Sequence, residues 1–318
     1  MGLNRNVLSA SVQAQLGPLV TGKEIYACSG SGATYAWLRD KIKLRTSELA
    51  TNLLDAYVNI DSGRNDTIYL SPDSHTLTSM LTWAKSNSKL IGLAPKQMMN
   101  QRARIGHNFV ASPMITVSGS GNEFSNIYTM HGYGTGADYI GWTISGARNA
   151  FDHVHFGGPM TATQGDHASY NGVNITGSEN YFNHCVFGTD TVPRDEITPN
   201  VTLGAGSLTV FEDCIFLAAL TDTEPTFVNV LNTSGYTWAI FKRCQFLAFS
   251  ANHANAMAVA FTFSSGSSAD IVLDPGCSFN NVTKLAASAS MKYIWTPTNF
   301  AATADELNLI AINSATYI

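Results

Sequence analysis

Two carboxylates in this sequence could act as an acid and a base on a polysaccharide. Asp152 and Glu212 directly follow Phe151 and Phe211, the first residues of two copies of a short motif. If the copies stack with one between them, the two carboxylates lie roughly 9.6 Å apart. Glycoside hydrolysis uses carboxyl groups about 5–9.5 Å apart, so this spacing suits an inverting pair. Asp152 and Glu212 are the candidate catalytic residues if the protein is an enzyme, but alternating acid, amide and base residues favour a solvated polar ladder.

A second set of side chains could bind a metal ion. His153, His184 and Asp213 occupy the next position of successive motif copies. Imidazole and carboxylate groups are common ligands of transition metals. The same residues also suit a polar ladder in which neighbours hydrogen-bond, and we favour that interpretation. The sequence therefore predicts no metal and no cofactor.

Charged residues also gather in four segments that directly follow the motif copies. Residues 157–171, 188–200, 217–226 and 248–258 are predicted to be loops on one side of the molecule. Insertions on one side of a stacked fold usually mark a contact face. These residues could hold catalytic carboxylates, solvate the surface or contact a neighbouring subunit. The predicted interaction face comprises Asp166, His167, Asp190, Arg194, Asp195, Glu196, Asp222 and Glu224.

A repeated sequence motif predicts the secondary-structure elements that position these side chains. Copies of Phe-x-x-Cys-x-Phe begin at Phe151, Phe182, Phe211 and Phe241, at spacings of 31, 29 and 30 residues, with valine replacing cysteine in the first copy. A period of 20–50 residues indicates a solenoid. Each copy follows a short strand and a bend of small residues, and apolar residues show no helical period. The repeat therefore predicts an all-β fold, a right-handed single-stranded parallel β-helix whose coil is strand, corner, strand and longer loop.

Stacked coils place equivalent residues about 4.8 Å apart. The column Val154, Cys185, Cys214 and Cys244 is predicted to point inward, together with two columns of phenylalanine. Each buried phenylalanine contributes on the order of 1.5–3 kcal/mol. An odd number of cysteines without close pairs indicates neither disulfides nor a zinc site. The cysteines are therefore expected to pack as small apolar residues rather than to do redox or metal chemistry.

The segment before the repeat is predicted to cap the solenoid. It contains a strand at Lys23–Cys28, a short helical region over 34–57, and strands at Thr67–Leu70 and Lys89–Leu93. This order of elements resembles the N-terminal cap of pectate-lyase-like β-helix proteins, which implies that the helix covers the end coil. The predicted organisation is given by four segments: an N-terminal arm (1–22), the cap and first coils (23–120), the β-helix coils (121–285) and a C-terminal segment (286–318).

A short run near the C-terminus points to a biological setting. The sequence Ala-Thr-Ala-Asp-Glu-Leu-Asn at 302–308 is similar to a phrase that recurs in structural proteins of tailed bacteriophages. That resemblance implies a virion protein, such as a decoration protein or a tail fibre. A helical capping turn could produce the same residues without kinship.

Composition narrows the choice of partners. Charged residues make up 13% of the 318-residue chain and the net charge is −5, so no basic footprint for nucleic acid is present. No stretch approaches the roughly 20 apolar residues that cross a bilayer, and the first residues lack a secretion signal. We therefore expect a chain made in the host cytoplasm that binds neither membrane nor nucleic acid.

Three functions are compatible with these features. The favoured one is a structural virion protein of a tailed phage, a capsid decoration or cement protein on the capsid surface that binds the major capsid protein as a homotrimer. The alternative is a tailspike-type protein that binds or depolymerises a glycan. The third, a stand-alone carbohydrate-active enzyme, is disfavoured by the missing signal peptide and by the few paired carboxylates.

Overall fold

The computed structural model describes 22–28, 36–37, 40, 48–110, 113–132, 140–167, 169–194, 198–204, 206–231, 236–251, 254–266 and 268–296. Within these residues the chain is a right-handed parallel β-helix, as the repeat predicted. Every strand pair in the described residues is parallel, and each of the central coils contributes one strand to each of three long sheets. We call these sheets A, B and C in the order in which the chain enters them.

Sheet A has eleven strands, which pair in the order β2-β1-β3-β6-β9-β12-β15-β18-β21-β25-β28. Its strands are β1 (Glu24–Ala27), β2 (Leu49–Ala50), β3 (Thr67–Leu70), β6 (Lys89–Gly92), β9 (Glu123–Ser125), β12 (Ala150–Asp152), β15 (Asn180–Asn183), β18 (Leu208–Glu212), β21 (Thr237–Lys242), β25 (Ala269–Leu273) and β28 (Ile294–Trp295).

Sheets B and C have eight and seven strands. Sheet B contains β4 (Ser74–Leu77), β7 (Arg104–His107), β10 (Tyr128–His131), β13 (His155–Pro159), β16 (Val186–Arg194), β19 (Ile215–Leu220), β22 (Gln245–Ser250) and β26 (Ser278–Asn280). Sheet C contains β5 (Leu81–Trp83), β8 (Ile115–Val117), β11 (Ile140–Ile144), β14 (Asn171–Ile175), β17 (Pro199–Leu203), β20 (Thr226–Val230) and β24 (Phe261–Phe263). A further pair joins β23 (Met257–Val259) to β27 (Val282–Lys284).

The core is a set of inward-facing columns that run along the axis. Two phenylalanine columns stack with ring centroids 4.5–5.0 Å apart, which confirms the predicted ladders. Val154, Cys185, Cys214 and Cys244 are fully buried between them. Burial raises the pKa of the Cys214 thiol far above its usual range. The three cysteine side chains pack in the interior, and the Cys214 thiol keeps its proton.

The coil differs from the predicted one in having three strands. A left-handed residue within the motif Phe-x-x-Cys-x-Phe, such as His153 (φ 54°), divides the motif into an A strand and a B strand. The predicted loops were also too long. Residues 157–171 and 188–200, for example, begin with the end of a B strand and finish in a C strand. Parallel pairing with the neighbouring coils keeps these residues extended, so the excursions from the coil are shorter.

The N-terminal elements match the prediction in part. The strands predicted at 23–28, 67–70 and 89–93 are β1, β3 and β6. Within the predicted helical region, the described residues 36–37 and 40 are helical and α1 (Leu53–Asn59) overlaps its end, while residues 49–50 form strand β2. The helix begins where it does because the Asn52 side chain accepts a hydrogen bond from the Asp55 N–H at 2.8 Å. α1 buries Leu53 and Ala56 in the core, as expected of a capping element.

Two further short helical elements lie in the part of the chain that the structure describes. They are α2 (Ala162–Gly165) and a 3-10 helix at Ser288–Tyr293. Within the part of the chain that the structure describes, no helix has the length and apolarity needed to cross a bilayer. The predicted arm over 1–22 and the run at 302–308 lie outside the described residues, apart from Gly22.

Candidate functional site at the corner between sheets A and B

The candidate chemical residues form a ladder at the corner between sheets A and B. We call Asn126, His153, His184, Asp213 and Arg243 the corner ladder; they occupy one position in five successive coils. All five adopt left-handed backbone with φ between 49° and 57°. Asn, Asp and His tolerate this conformation better than most other residues. The need for a tight corner therefore explains much of why polar residues recur here.

A second column runs beside the corner ladder on the outer face of sheet A. We call Ser125, Asp152, Asn183, Glu212 and Lys242 the outer polar column, and their pairing confirms that Asp152 and Glu212 share a column. Asn183 separates them and donates a hydrogen bond to Asp152 Oδ1 at 2.8 Å. The candidate catalytic pair is therefore two coils apart with an amide between its members.

A loop from an earlier coil crosses this corner. We call residues 93–103 the clasp loop. Lys96 Nζ lies 2.7 Å from Asp152 Oδ2, and the Gln101 side chain donates to the His153 carbonyl at 2.6 Å. The Asn100 N–H donates to His155 Nδ1 at 3.1 Å. Sequence reasoning missed the clasp loop because its partners lie more than fifty residues away and it carries no motif.

Arg243 neutralises the acidic end of the corner. Its guanidinium lies 2.7 Å from Glu212 Oε1 and 2.7 Å from Asp213 Oδ2. In the sequence, no aspartate of these two columns shares the coil of Arg243. The structure shows that its partners come from the preceding coil, because a long side chain reaches across the strand spacing. A recess of about 230 Å³ opens beside these groups, lined in part by Met98, His184 and Gln245.

The electrostatics of the two candidate catalytic carboxylates are alike. Burial acts to raise the pKa of Asp152, but hydrogen bonds from Lys96 and Asn183 outweigh it, so the pKa lies below its usual value. Hydrogen bonds from Tyr181 and Arg243 lower the pKa of Glu212. A general acid on a glycosidic oxygen needs a carboxyl group whose pKa is raised. Both carboxyl groups therefore have a lowered pKa where a general acid needs a raised one.

The histidines of the corner ladder stack on each other. The rings of His153 and His184 have centroids 4.8 Å apart and planes 10° apart. His153 Nδ1 lies 3.0 Å from Asp152 Oδ1, whereas the closest approach of His184 to Asp213 is 3.9 Å, from Nε2. Within the described residues, Asp152, His153 and His184 bring potential ligand atoms within 4.8 Å of one another. The sequence placed the two histidines next to each other, as observed. It grouped them with Asp213, whereas the Asp152 carboxylate lies closer to the histidine rings.

The predicted interaction face is only partly exposed. Asp190, Asp222 and Glu224 are exposed, and Asp166 and His167 are half-buried. The prediction that Arg194 belongs to this face is wrong, because its side chain is buried and is unavailable to a partner. Its guanidinium donates to the Thr198 carbonyl at 3.0 Å and to Asn200 Oδ1 at 2.6 Å, and lies 5.4 Å from the centre of the Tyr170 ring. Asp195 and Glu196 lie outside the described residues.

An aromatic surface lies on the outer side of sheet A in the later coils. Tyr181, Tyr236 and Trp295 are 38%, 49% and 59% exposed. Tyr181 begins an outward column that continues through aliphatic residues to Trp295. The Asp270 carboxylate orients two of the rings, because it accepts hydrogen bonds from both Tyr236 Oη and Trp295 Nε1. We call the following residues the aromatic face: Tyr181, Leu208, Val210, Tyr236, Trp238, Ile240, Val272 and Trp295.

Comparisons with known proteins identify the fold. No protein-family model and no curated protein matches this chain. A pectin methylesterase from Aspergillus niger superposes with a TM-score of 0.54 at 14% identity, covering 87% of this chain and 81% of that one. PemA, a pectin methylesterase from Erwinia chrysanthemi, gives 0.55 at 10% identity, with the same two coverages. The fold is thus the pectate-lyase-like right-handed β-helix that the cap resemblance implied.

A viral protein is also similar. ORF18 of Geobacillus virus E2 gives a TM-score of 0.45 at 15% identity, and the match covers 89% of this chain and 57% of that one.

Proposed function

We propose that the chain is a structural virion protein of a tailed phage, a capsid decoration or cement protein that binds the major capsid protein. The observation that carries this proposal is the run at 302–308, which is similar to a phrase of phage structural proteins. The site chemistry supports it, because Asp152 and Glu212 are held as anions by Lys96 and Arg243. A β-helix of this kind serves as a rigid scaffold on a shell.

The proposal includes a homotrimer and a contact through exposed loop residues. Asp190, Asp222 and Glu224 project from the side of the coil on which sheet B passes to sheet C. A basic patch on the shell would attract the negative charges on this side. Closed symmetric assemblies are the usual form of soluble oligomers. A mass in solution of three times the 34.1 kDa chain is expected, and a monomer under assembly conditions would contradict the trimer.

The decisive experiment counts the protein in particles. Purified virions of the phage that encodes the chain are analysed by quantitative mass spectrometry against the major capsid protein. Hundreds of copies per head are expected of a decoration protein. Absence from the particle, or a few copies per tail, would overturn the proposal. A variant in which Asp190, Asp222 and Glu224 are replaced by Asn, Asn and Gln should show reduced occupancy on shells stripped of the protein.

A glycan-binding or polysaccharide-depolymerising protein is the second candidate, and the aromatic face favours it. Flat exposed rings with flanking carboxylates and amides suit contact with sugar rings, and Tyr181 and Trp238 lie near the outer polar column. The pectin methylesterases that share the fold include one in complex with a hexasaccharide. Binding to a glycan array that is lost in Tyr181→Ala, with Val58→Ala on helix α1 as an exposed control, would favour this candidate.

A further inference from the structure

The stacked histidines of the corner ladder have an unusual combination of contacts. Among the described residues, His184 Nδ1 is buried and has no hydrogen-bond partner. A neutral imidazole offers one N–H and one lone pair, so a buried ring nitrogen without a partner is costly. The neighbouring ring of His153 is nearly parallel at 4.8 Å, and the Asp152 carboxylate lies against it. A cation at this point would satisfy all three groups.

We propose that Asp152, His153 and His184 form a binding site for a divalent transition-metal ion of the zinc and cobalt class. Two imidazoles and one carboxylate are a ligand set that such ions prefer and that leaves coordination positions open for water. The residues belong to two adjacent coils, so the ion would join the coils at their corner. This function is separate from shell binding and does not depend on it.

The distances require only small side-chain movements. The candidate ligand atoms already lie within 4.8 Å of one another. Bonds to zinc are about 2.0–2.2 Å long, so ligand atoms around one ion stand roughly 3.3 Å apart. Rotation of the two rings closes that difference while the corner backbone stays in place. The side chains of His153 and His184 are 20% and 40% exposed, which leaves a path for the ion from solvent.

A supporting group stands behind one of the ligands. Asp213 Oδ2 lies 3.9 Å from His184 Nε2, and Arg243 fixes that carboxylate at 2.7 Å. Metal-binding histidines commonly donate their second ring nitrogen to a carboxylate, which orients the ring and raises its basicity. Asp213 is therefore assigned to position His184 rather than to contact the ion. Its loss is expected to weaken binding about 10-fold or more.

Lys96 opposes the ion. Its ammonium group forms an ion pair with Asp152 Oδ2 at 2.7 Å, while Asp152 Oδ1 faces His153. An added cation near this lysine meets a like charge, so the lysine lowers the affinity of the site. The side chain of Lys96 is 59% exposed and can swing away into solvent. Lys96→Gln is therefore expected to bind metal more tightly than the wild-type chain.

The test is a titration of the untagged, EDTA-treated chain with Zn²⁺ by calorimetry and with Co²⁺ by visible absorption. His153→Asn and His184→Asn remove one ligand each while keeping a residue that the corner accepts, since Asn126 occupies this position in an earlier coil. His167→Asn, in the segment after β13, is the matched control. Asp152→Asn alters a strand residue and leaves the corner backbone intact.

The expected result is one ion per chain, with a Co²⁺ absorption band that shows protein ligands. Affinity should fall more than about 100-fold in His153→Asn and His184→Asn, beyond the 10–100-fold that a supporting group contributes. His167→Asn should bind like the wild type. Undiminished binding in both ligand variants, or no binding to the wild type at millimolar Zn²⁺ and Co²⁺, would overturn the proposal. Copy number in virions is measured separately, so the two proposals can fail independently.

Discussion

The inward-facing and outward-facing columns of the same coils differ in how their residue types repeat. On strand β15, Phe182 points inward and stacks between Phe151 and Phe211 at 4.6 and 5.0 Å. Its neighbour Tyr181 points outward, is 38% exposed and meets a different kind of residue in each coil. The two phenylalanine columns repeat one residue type, whereas the corner ladder changes from amide to imidazole to carboxylate to guanidinium. Uniform columns provide stability, and the mixed columns are where specificity can arise.

The largest effect is expected inside. Phe182→Ala removes one ring from a continuous stack and leaves a cavity, which should lower the free energy of unfolding by about 3–5 kcal/mol. Tyr181→Ala, on the same strand but on the outer face, should cost far less. Urea unfolding followed by circular dichroism compares the two. Equal losses would show that the inner and outer columns contribute alike.

Substitution of the buried Arg194 tests how much its interior hydrogen bonds stabilise the fold. Arg194→Met removes the hydrogen bonds from the guanidinium to the Thr198 carbonyl and to Asn200 Oδ1, and a hydrogen bond to a charged group contributes about 1.5–3 kcal/mol. A loss of about 2–4 kcal/mol in the free energy of unfolding is expected. Arg148→Met is the control, because Arg148 is exposed and pairs with Glu179 at the surface. A similar small loss in both variants would contradict the structural role of Arg194.

The cysteine column offers a graded test. Cys214→Ser buries a more polar group with a shorter reach to the Phe182 and Glu212 carbonyls, and should cost about 1–3 kcal/mol. Cys214→Val should cost less than about 1.5 kcal/mol, since Val154 fills the same column two coils earlier. Because burial raises the pKa of the Cys214 thiol, this residue should react with a thiol reagent at pH 8 only after unfolding. Rapid labelling of the folded chain at Cys214 would contradict the packing role.

The smallest effect is expected at the exposed corner. Arg243 lowers the pKa of Glu212, after Tyr181, and is the main cause of the lowered pKa of Asp213. Carboxylates with depressed pKa values stabilise the fold above their unfolded pKa of about 4 and lose that contribution as the pH falls through the folded value. Arg243→Gln should therefore flatten the decline of stability between about pH 5 and pH 2. An unchanged pH profile would show that the ion pairs contribute nothing.

The sequence predicted the inner columns better than the outer site for a physical reason. Inward positions of successive coils hold the same residue type, so the positions of Phe151, Phe182 and Cys214 can be recognised from the sequence repeat. The corner ladder repeats only a backbone conformation, which Asn, Asp, His and Arg can all adopt, so its partners depend on side-chain reach. Arg243 therefore pairs with an earlier coil. The contact between Lys96 and Asp152 spans 56 residues and has no sequence signature.

An activity assay tests most directly whether the corner is a scaffold surface or a catalytic centre. The wild-type chain and Glu212→Gln are incubated with methyl-esterified pectin and with bacterial surface polysaccharides, and released methanol and reducing ends are measured. We expect no product from either chain above the background without protein. Turnover by the wild type that disappears in Glu212→Gln would contradict the structural role and make the corner an active site.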